Sequence, residues 1–140
     1  MSTIDTYIAQ ALEEFVTDTQ NLLTAAEQQK PLDKDEIGYW TRQRNAFAKA
    51  QKYFADGTRL AATPSAYLVP SASRPGALVH RLYQAGDVWI CPCEARGFCW
   101  HHALVHGYER GAELASLDAA PAVPAWMAEE DAALLTLLAA

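Results

Sequence analysis

The stretch Cys-Pro-Cys-Glu-Ala-Arg-Gly-Phe-Cys-Trp-His-His, residues 91–102, holds all three cysteines of a 140-residue chain and two of its four histidines. Thiolates and imidazoles are the donor set of tetrahedral Zn2+, and small ββα units supply them in two pairs, one from a strand end and one from a helix start. The spacing here fits that plan. Cys91 and Cys93 flank Pro92 at the end of a β-rich run, Val88–Cys91. Five residues then return the chain, with Gly97 free to adopt a backbone conformation that other residues resist. Cys99 and one of His101, His102 and His106 complete the set at the first turns of the following helix. Three thiolates and a neutral imidazole around a divalent cation carry one net negative charge and leave no open coordination position, which marks a structural zinc rather than a catalytic one. Such a metal substitutes for the large core a short unit lacks, so metal binding and folding are expected to be coupled. Disulfides are a poorer explanation, because three cysteines cannot all pair within one chain.

The flanking sequence reads as helices before the cluster and short strands leading into it. Ile4, Tyr7, Ile8, Ala11, Leu12, Phe15, Val16, Thr19, Leu22, Leu23 and Ala26 recur at helical steps, which predicts a first amphipathic helix. Asp33 is placed to cap a second, with Glu36 three residues on, and Asp56-Gly57 to stop it near Ala55. On that helix Trp40, Phe47 and Phe54 should face the first helix, with Arg42, Asn45, Lys49 and Lys52 on the far side. Past Thr63-Pro64 the periodicity changes: residues 66–70 and 77–83 read as strands, Gln84–Asp87 as a tight turn, and 88–91 as the partner strand. Residues 99–117 read as a helix whose later turns are weakened by Gly107 and Gly111. The expected fold class is α+β. A two-helix hairpin occupies residues 1–60, a zinc-bound β-hairpin or meander plus helix residues 61–118, and a Pro/Ala linker with a short acidic helix around Trp126 residues 119–140.

Charge is segregated along the chain. The net charge is -6, yet all 11 basic residues lie between Lys30 and Arg110, and the two flanks are purely acidic. A basic middle of this kind can meet an anionic partner, while net acidity argues against indiscriminate coating of nucleic acid. No apolar run approaches the roughly 20 residues of a membrane span, and the N-terminus lacks the basic-then-apolar pattern of a secretory signal. A cytoplasmic protein with no membrane association is expected. Catalytic signatures are missing from the sequence. No His-x-Glu precedes the cysteines and their spacing is not the Pro-Cys-x-x-Cys of the zinc deaminases. Cys-x-x-Cys redox, Gly-x-Ser-x-Gly and phosphate-loop motifs are also absent. The chain is therefore expected not to be an enzyme.

Cys91-Pro-Cys93, a short spacer and Cys99-Trp-His101 resemble the SWIM-type zinc finger, whose signature is Cys-x-Cys, a variable gap, and Cys-x-His. The surroundings are similar too, since VWICPC and CWHHALV match the family's Trp before the first cysteine and its small-residue helix after the histidine. The resemblance covers residues 64–110. It implies one structural Zn2+ held by Cys91, Cys93, Cys99 and His101, and a DNA-binding or protein-interaction module. On that reading Arg74, Arg81 and Arg96 near the finger, helped by Arg42, Lys49 and Lys52, would contact DNA or another nucleic acid. Alternatively the zinc only holds the fold, and a protein partner is recruited through the acidic flanks or the Trp126 helix.

Overall fold

The computed structural model describes residues 3–71, 79–93 and 97–119. Helix α1 spans Thr3–Glu27 and α2 spans Lys34–Ala55. Asp33 caps α2, its carboxylate accepting from the amides of Asp35 (3.0 Å) and Glu36 (3.2 Å). The two helices pack antiparallel. Asp5 meets Arg59 just past the end of α2, Phe15 stacks on Phe47 with ring centroids 4.6 Å apart, and Arg44 donates to Gln20 near the hairpin tip. Of the expected inward face, Phe47 and Phe54 are buried while Trp40 is half-buried with its ring against Tyr39, and Arg42, Asn45, Lys49 and Lys52 are exposed.

Four antiparallel strands follow in the order β1-β2-β3-β4: Ala61–Ala62, Ala66–Pro70, Val79–Ala85 and Val88–Ile90. Strand β1 is too short to carry a sequence pattern. Strand β3 runs two residues further than its hydrophobic run suggests, because the β3–β4 turn needs only Gly86-Asp87, with Gly86 at φ 64°. Pairing of Tyr67 with Leu82, Val69 with His80 and Gln84 with Trp89 sets one face of the sheet. Val69 and Leu82 on that face are fully buried. The opposite face, with Leu68, Val79, Arg81, Tyr83, Val88 and Ile90, points away from the helices.

Helix α3, Trp100–Asp118, passes straight through both glycines. It runs antiparallel to α1, and the glycines are where the two helices touch. A Cβ built on Gly107 would lie 2.5 Å from Leu12 Cδ2, and one on Gly111 would lie 2.7 Å from Ile8 Cγ1. Gly107 and Gly111 are thus the close-approach surface of α3 rather than a weakness in it. Tyr7 hydrogen-bonds Asp118 at the far end of the same crossing. Residues of α1, α2, β2, β3 and α3 share one hydrophobic cluster, centred on Ile8, Leu12, Phe47, Phe54, Val69, Leu82 and Leu104. The chain is α+β, with an N-terminal helical pair, a small antiparallel sheet and a helix C-terminal to it. The expected Trp126 helix lies outside the described residues. Among the described residues, no helix is long and apolar enough to cross a membrane.

Candidate metal centre

Strand β4 ends at Ile90, and the next three residues carry the first two ligands, Cys91 and Cys93. The return is made by Gly97, at φ 86°, a left-handed conformation that favours glycine. Cys99 then sits at the N-cap of α3 with extended backbone. A thiolate there meets the partial positive charge of the helix N-terminus. His101, in the first turn, is buried, and its ring is clasped between those of Trp100 (4.2 Å between centroids) and His80 (4.5 Å). The flanking aromatics root the turn in the helical pair, Phe98 against Phe47 and Trp100 against Tyr53.

The ligand atoms of Cys91, Cys93, Cys99 and His101 all lie within 4.8 Å of one another. His101 turns Nδ1 toward the cluster, 3.4 Å from Cys99 Sγ. A tetrahedron with bonds of about 2.3 Å to sulfur and 2.0 Å to nitrogen has edges of roughly 3.5–3.8 Å. These four residues can therefore hold one metal ion, and the donor set fits it chemically: thiolates and imidazole, half or fully buried, with no acidic oxygen among them. The other ring nitrogen of His101, Nε2, is buried without a hydrogen-bond partner in the protein. That imidazole is placed by packing and by the cluster rather than by a second polar contact.

Within the cluster, Cys91 and Cys99 shift one another's protonation in opposite directions. The Cys99 thiol is held far below the ordinary thiol range, first by Cys91 and then by the neighbouring imidazoles of His101 and His102, against an opposing effect of burial. Cys91 is pushed up, first by Cys99 and then by burial. The group most ready to be a thiolate is the most deeply buried of the three cysteines, which suits it to a cation.

Of the two remaining candidates for fourth ligand, neither belongs to the cluster. His102 Nε2 and the carbonyl of Trp89 are 2.9 Å apart, while Nδ1 accepts from the Cys99 amide at 3.3 Å and lies 3.0 Å from Cys99 Sγ. Both nitrogens are therefore engaged. His102 ties α3 to the outer backbone of β4, an edge strand that would otherwise be open to further pairing. The sequence signal for this role was its position three residues after the N-cap, the spacing at which a side chain reaches back to the cap amide. His106 is half-buried against Phe98 (5.7 Å between centroids), and burial lowers its basicity. His80 is a sheet residue of β3 and contributes by packing on His101.

The expected nucleic-acid contacts fall on separate elements. Arg42, Lys49 and Lys52 are exposed along one side of α2, Lys49 reaching over the Tyr53 ring. Arg81 is exposed on the outer face of the sheet, where it donates to Ser65 Oγ at 3.3 Å. Arg74 and Arg96 lie outside the described residues. Fold and cluster together define a small α+β protein in which a strand end and a helix start form a Cys3His site able to hold one metal ion. No family model, curated protein or solved structure matches the chain.

Proposed function

We propose that the chain is a zinc-stabilised binding module of the SWIM type that binds nucleic acid, DNA in the first place, and catalyses no reaction. The observation that carries this reading is the placement of Cys91, Cys93, Cys99 and His101 within 4.8 Å of one another at a strand end and a helix start. That is the order and placement the Cys-x-Cys, Cys-x-His signature implies. Four protein ligands fill a tetrahedron, so zinc serves the fold and leaves recognition to the surface. The described surface offers Arg42, Lys49 and Lys52 in a row on α2 and Arg81 on β3; the sequence adds Arg74 and Arg96 as further candidates. Contact with about four phosphates makes affinity fall on the order of a hundredfold between 50 and 200 mM salt. Fluorescence-anisotropy titration with duplex and single-stranded oligonucleotides at those two salt concentrations tests the reading. Replacing Arg42, Lys49 and Lys52 together by Gln is expected to weaken binding at least tenfold with zinc content unchanged. Absence of binding in the low-salt sample overturns it.

A second reading, a protein adaptor whose zinc only holds the fold, is favoured by the outer sheet face. Val79 and Val88 are 52% and 64% exposed there, beside Tyr83 and Ile90, and clustered exposed apolar residues mark interaction surfaces. Nuclease-treated pull-downs compare the full chain with Val88→Asp and with a chain lacking residues 119–140. Capture lost in either variant supports the adaptor, and capture that depends on intact nucleic acid excludes it.

A further inference from the structure

Solvent reaches the cluster from one side. Cys99 and His101 are buried, whereas Cys91 and Cys93 are half-buried. An open groove of about 480 Å3 between β4 and the start of α3 has Cys91 on its wall, beside Trp89, Ile90, Phe98 and His106. The Cys91 sulfur also lies within 4.8 Å of the Cys99 sulfur. An oxidant entering the groove therefore meets a cysteine with a second one within 4.8 Å.

We propose that Cys91 is a peroxide-oxidation site whose product is a Cys91–Cys99 disulfide, so that oxidation exchanges the metal for a covalent link between the same two elements. The proposal rests on the reading that the cluster holds zinc. In the first step the Cys91 sulfur, which as a zinc ligand would be a thiolate, attacks one peroxide oxygen, the O–O bond breaks, and a sulfenic acid forms as the other oxygen departs and is protonated to water. In the second, the Cys99 sulfur attacks the Cys91 sulfur; the S–S bond forms, the S–O bond breaks, and a second water leaves. Two sulfurs give up two electrons in all, and one peroxide takes them. Cys93 and His101 remain as donors, too few for a structural zinc, and the ion is released.

The choice of Cys99 over Cys93 as partner follows from loop closure and from what the bond joins: a Cys91–Cys93 bond would close a very short loop through the fixed φ of Pro92. Cys91 follows β4 and Cys99 caps α3. A disulfide between them spans the gap the metal spans, whereas one within Cys91-Pro92-Cys93 leaves strand and helix unlinked. The His102 bridge to Trp89 and the Phe98–Phe47 contact need not move. Oxidation should thus free zinc without unfolding the helices.

Full-length, zinc-loaded protein titrated with hydrogen peroxide tests this, with zinc release read by a chromophoric chelator and disulfides mapped under non-reducing conditions. Trypsin cleaves after Arg96 and separates Cys91 and Cys93 from Cys99, so a Cys91–Cys99 bond appears as two joined peptides and fragmentation assigns the first cysteine. The expected result is one zinc released per peroxide consumed, the Cys91–Cys99 link, and a helical far-ultraviolet spectrum retained; dithiothreitol and added zinc restore the starting state. Zinc retained after the peroxide is consumed, or a Cys91–Cys93 or Cys93–Cys99 link, overturns the proposal while leaving the metal reading intact. Protein that cannot be loaded with zinc overturns the metal reading instead, and the disulfide map of that protein still decides the pairing.

Discussion

Gly111→Ala on α3 isolates the helix crossing that joins the metal-bearing helix to the N-terminal pair. The added Cβ would sit 2.7 Å from Ile8 Cγ1 and 2.9 Å from the Ile8 Cα and backbone N. Carbon atoms pack comfortably at about 3.5–4.0 Å, so the overlap is close to 1 Å and falls on backbone that no side-chain rotation can move aside. Forcing a methyl into a packed contact of this kind costs about 1–3 kcal/mol, offset by the roughly 1 kcal/mol that Ala gains over Gly in a helix. Gly38→Ala is the matched control. It too lies within a helix, but its added Cβ would find only the flexible Arg42 guanidinium, at 3.6 Å. The propensity gain is common to both variants, so their difference in stability is the overpacking alone, about 1–3 kcal/mol. Urea unfolding of the two, with zinc held in excess, measures it. Gly38→Ala should be stabilised by up to about 1 kcal/mol and Gly111→Ala destabilised. A Gly111→Ala protein as stable as Gly38→Ala would refute the close crossing of α1 and α3.

Three further outcomes follow from the same contacts. Asp33→Ala removes the cap that holds two amides of α2 and should lower stability by about 1 kcal/mol in the same urea assay. Leu104→Ala, at a fully buried position of α3, should cost about 2–5 kcal/mol, and a smaller loss would mean the core there can collapse. Acidification should release the metal, because protons compete for the same thiolates and imidazole. Cys99, whose pKa is depressed, stays ionised to lower pH than an ordinary thiol and contributes stability that is lost only as pH falls through that depressed value. Titration downward from pH 7, followed by zinc-sensitive dye and circular dichroism together, should show metal loss and loss of ordered structure as linked events; structure fully retained in the metal-free protein would contradict the coupling.

The sequence was most informative where a local pattern has a local cause. The 3.6-residue spacing of apolar side chains delimited α1, Asp33 and Asp56 bracketed α2, and residues 66–70 gave β2 to the residue, because each signal acts within one element. The cluster was legible for the same reason, with three of its four ligands in nine residues and His101 two further on. What could not be read there depends on segments far apart in the chain. Gly107 and Gly111 look like helix breakers until Leu12 and Ile8, about a hundred residues earlier, are packed on them. His102 looks interchangeable with His101 until Trp89 offers its carbonyl. Strand β1 exists only because Ala61 and Ala62 pair with Leu68 and Tyr67. Long-range packing also unites in one core the helical pair and the strands that composition separates.

Metal content of the purified protein tests the central claim most directly, because it asks whether Cys91, Cys93, Cys99 and His101 act as one site. Elemental analysis of the full chain and of Cys99→Ser, His101→Ala and His102→Ala after identical purification is the measurement. The account predicts one zinc per chain in the full protein and in His102→Ala, and none or a small fraction in Cys99→Ser and His101→Ala. Loss of zinc in His102→Ala with retention in His101→Ala, or a full-length protein that holds no metal under conditions where it is folded, would contradict it.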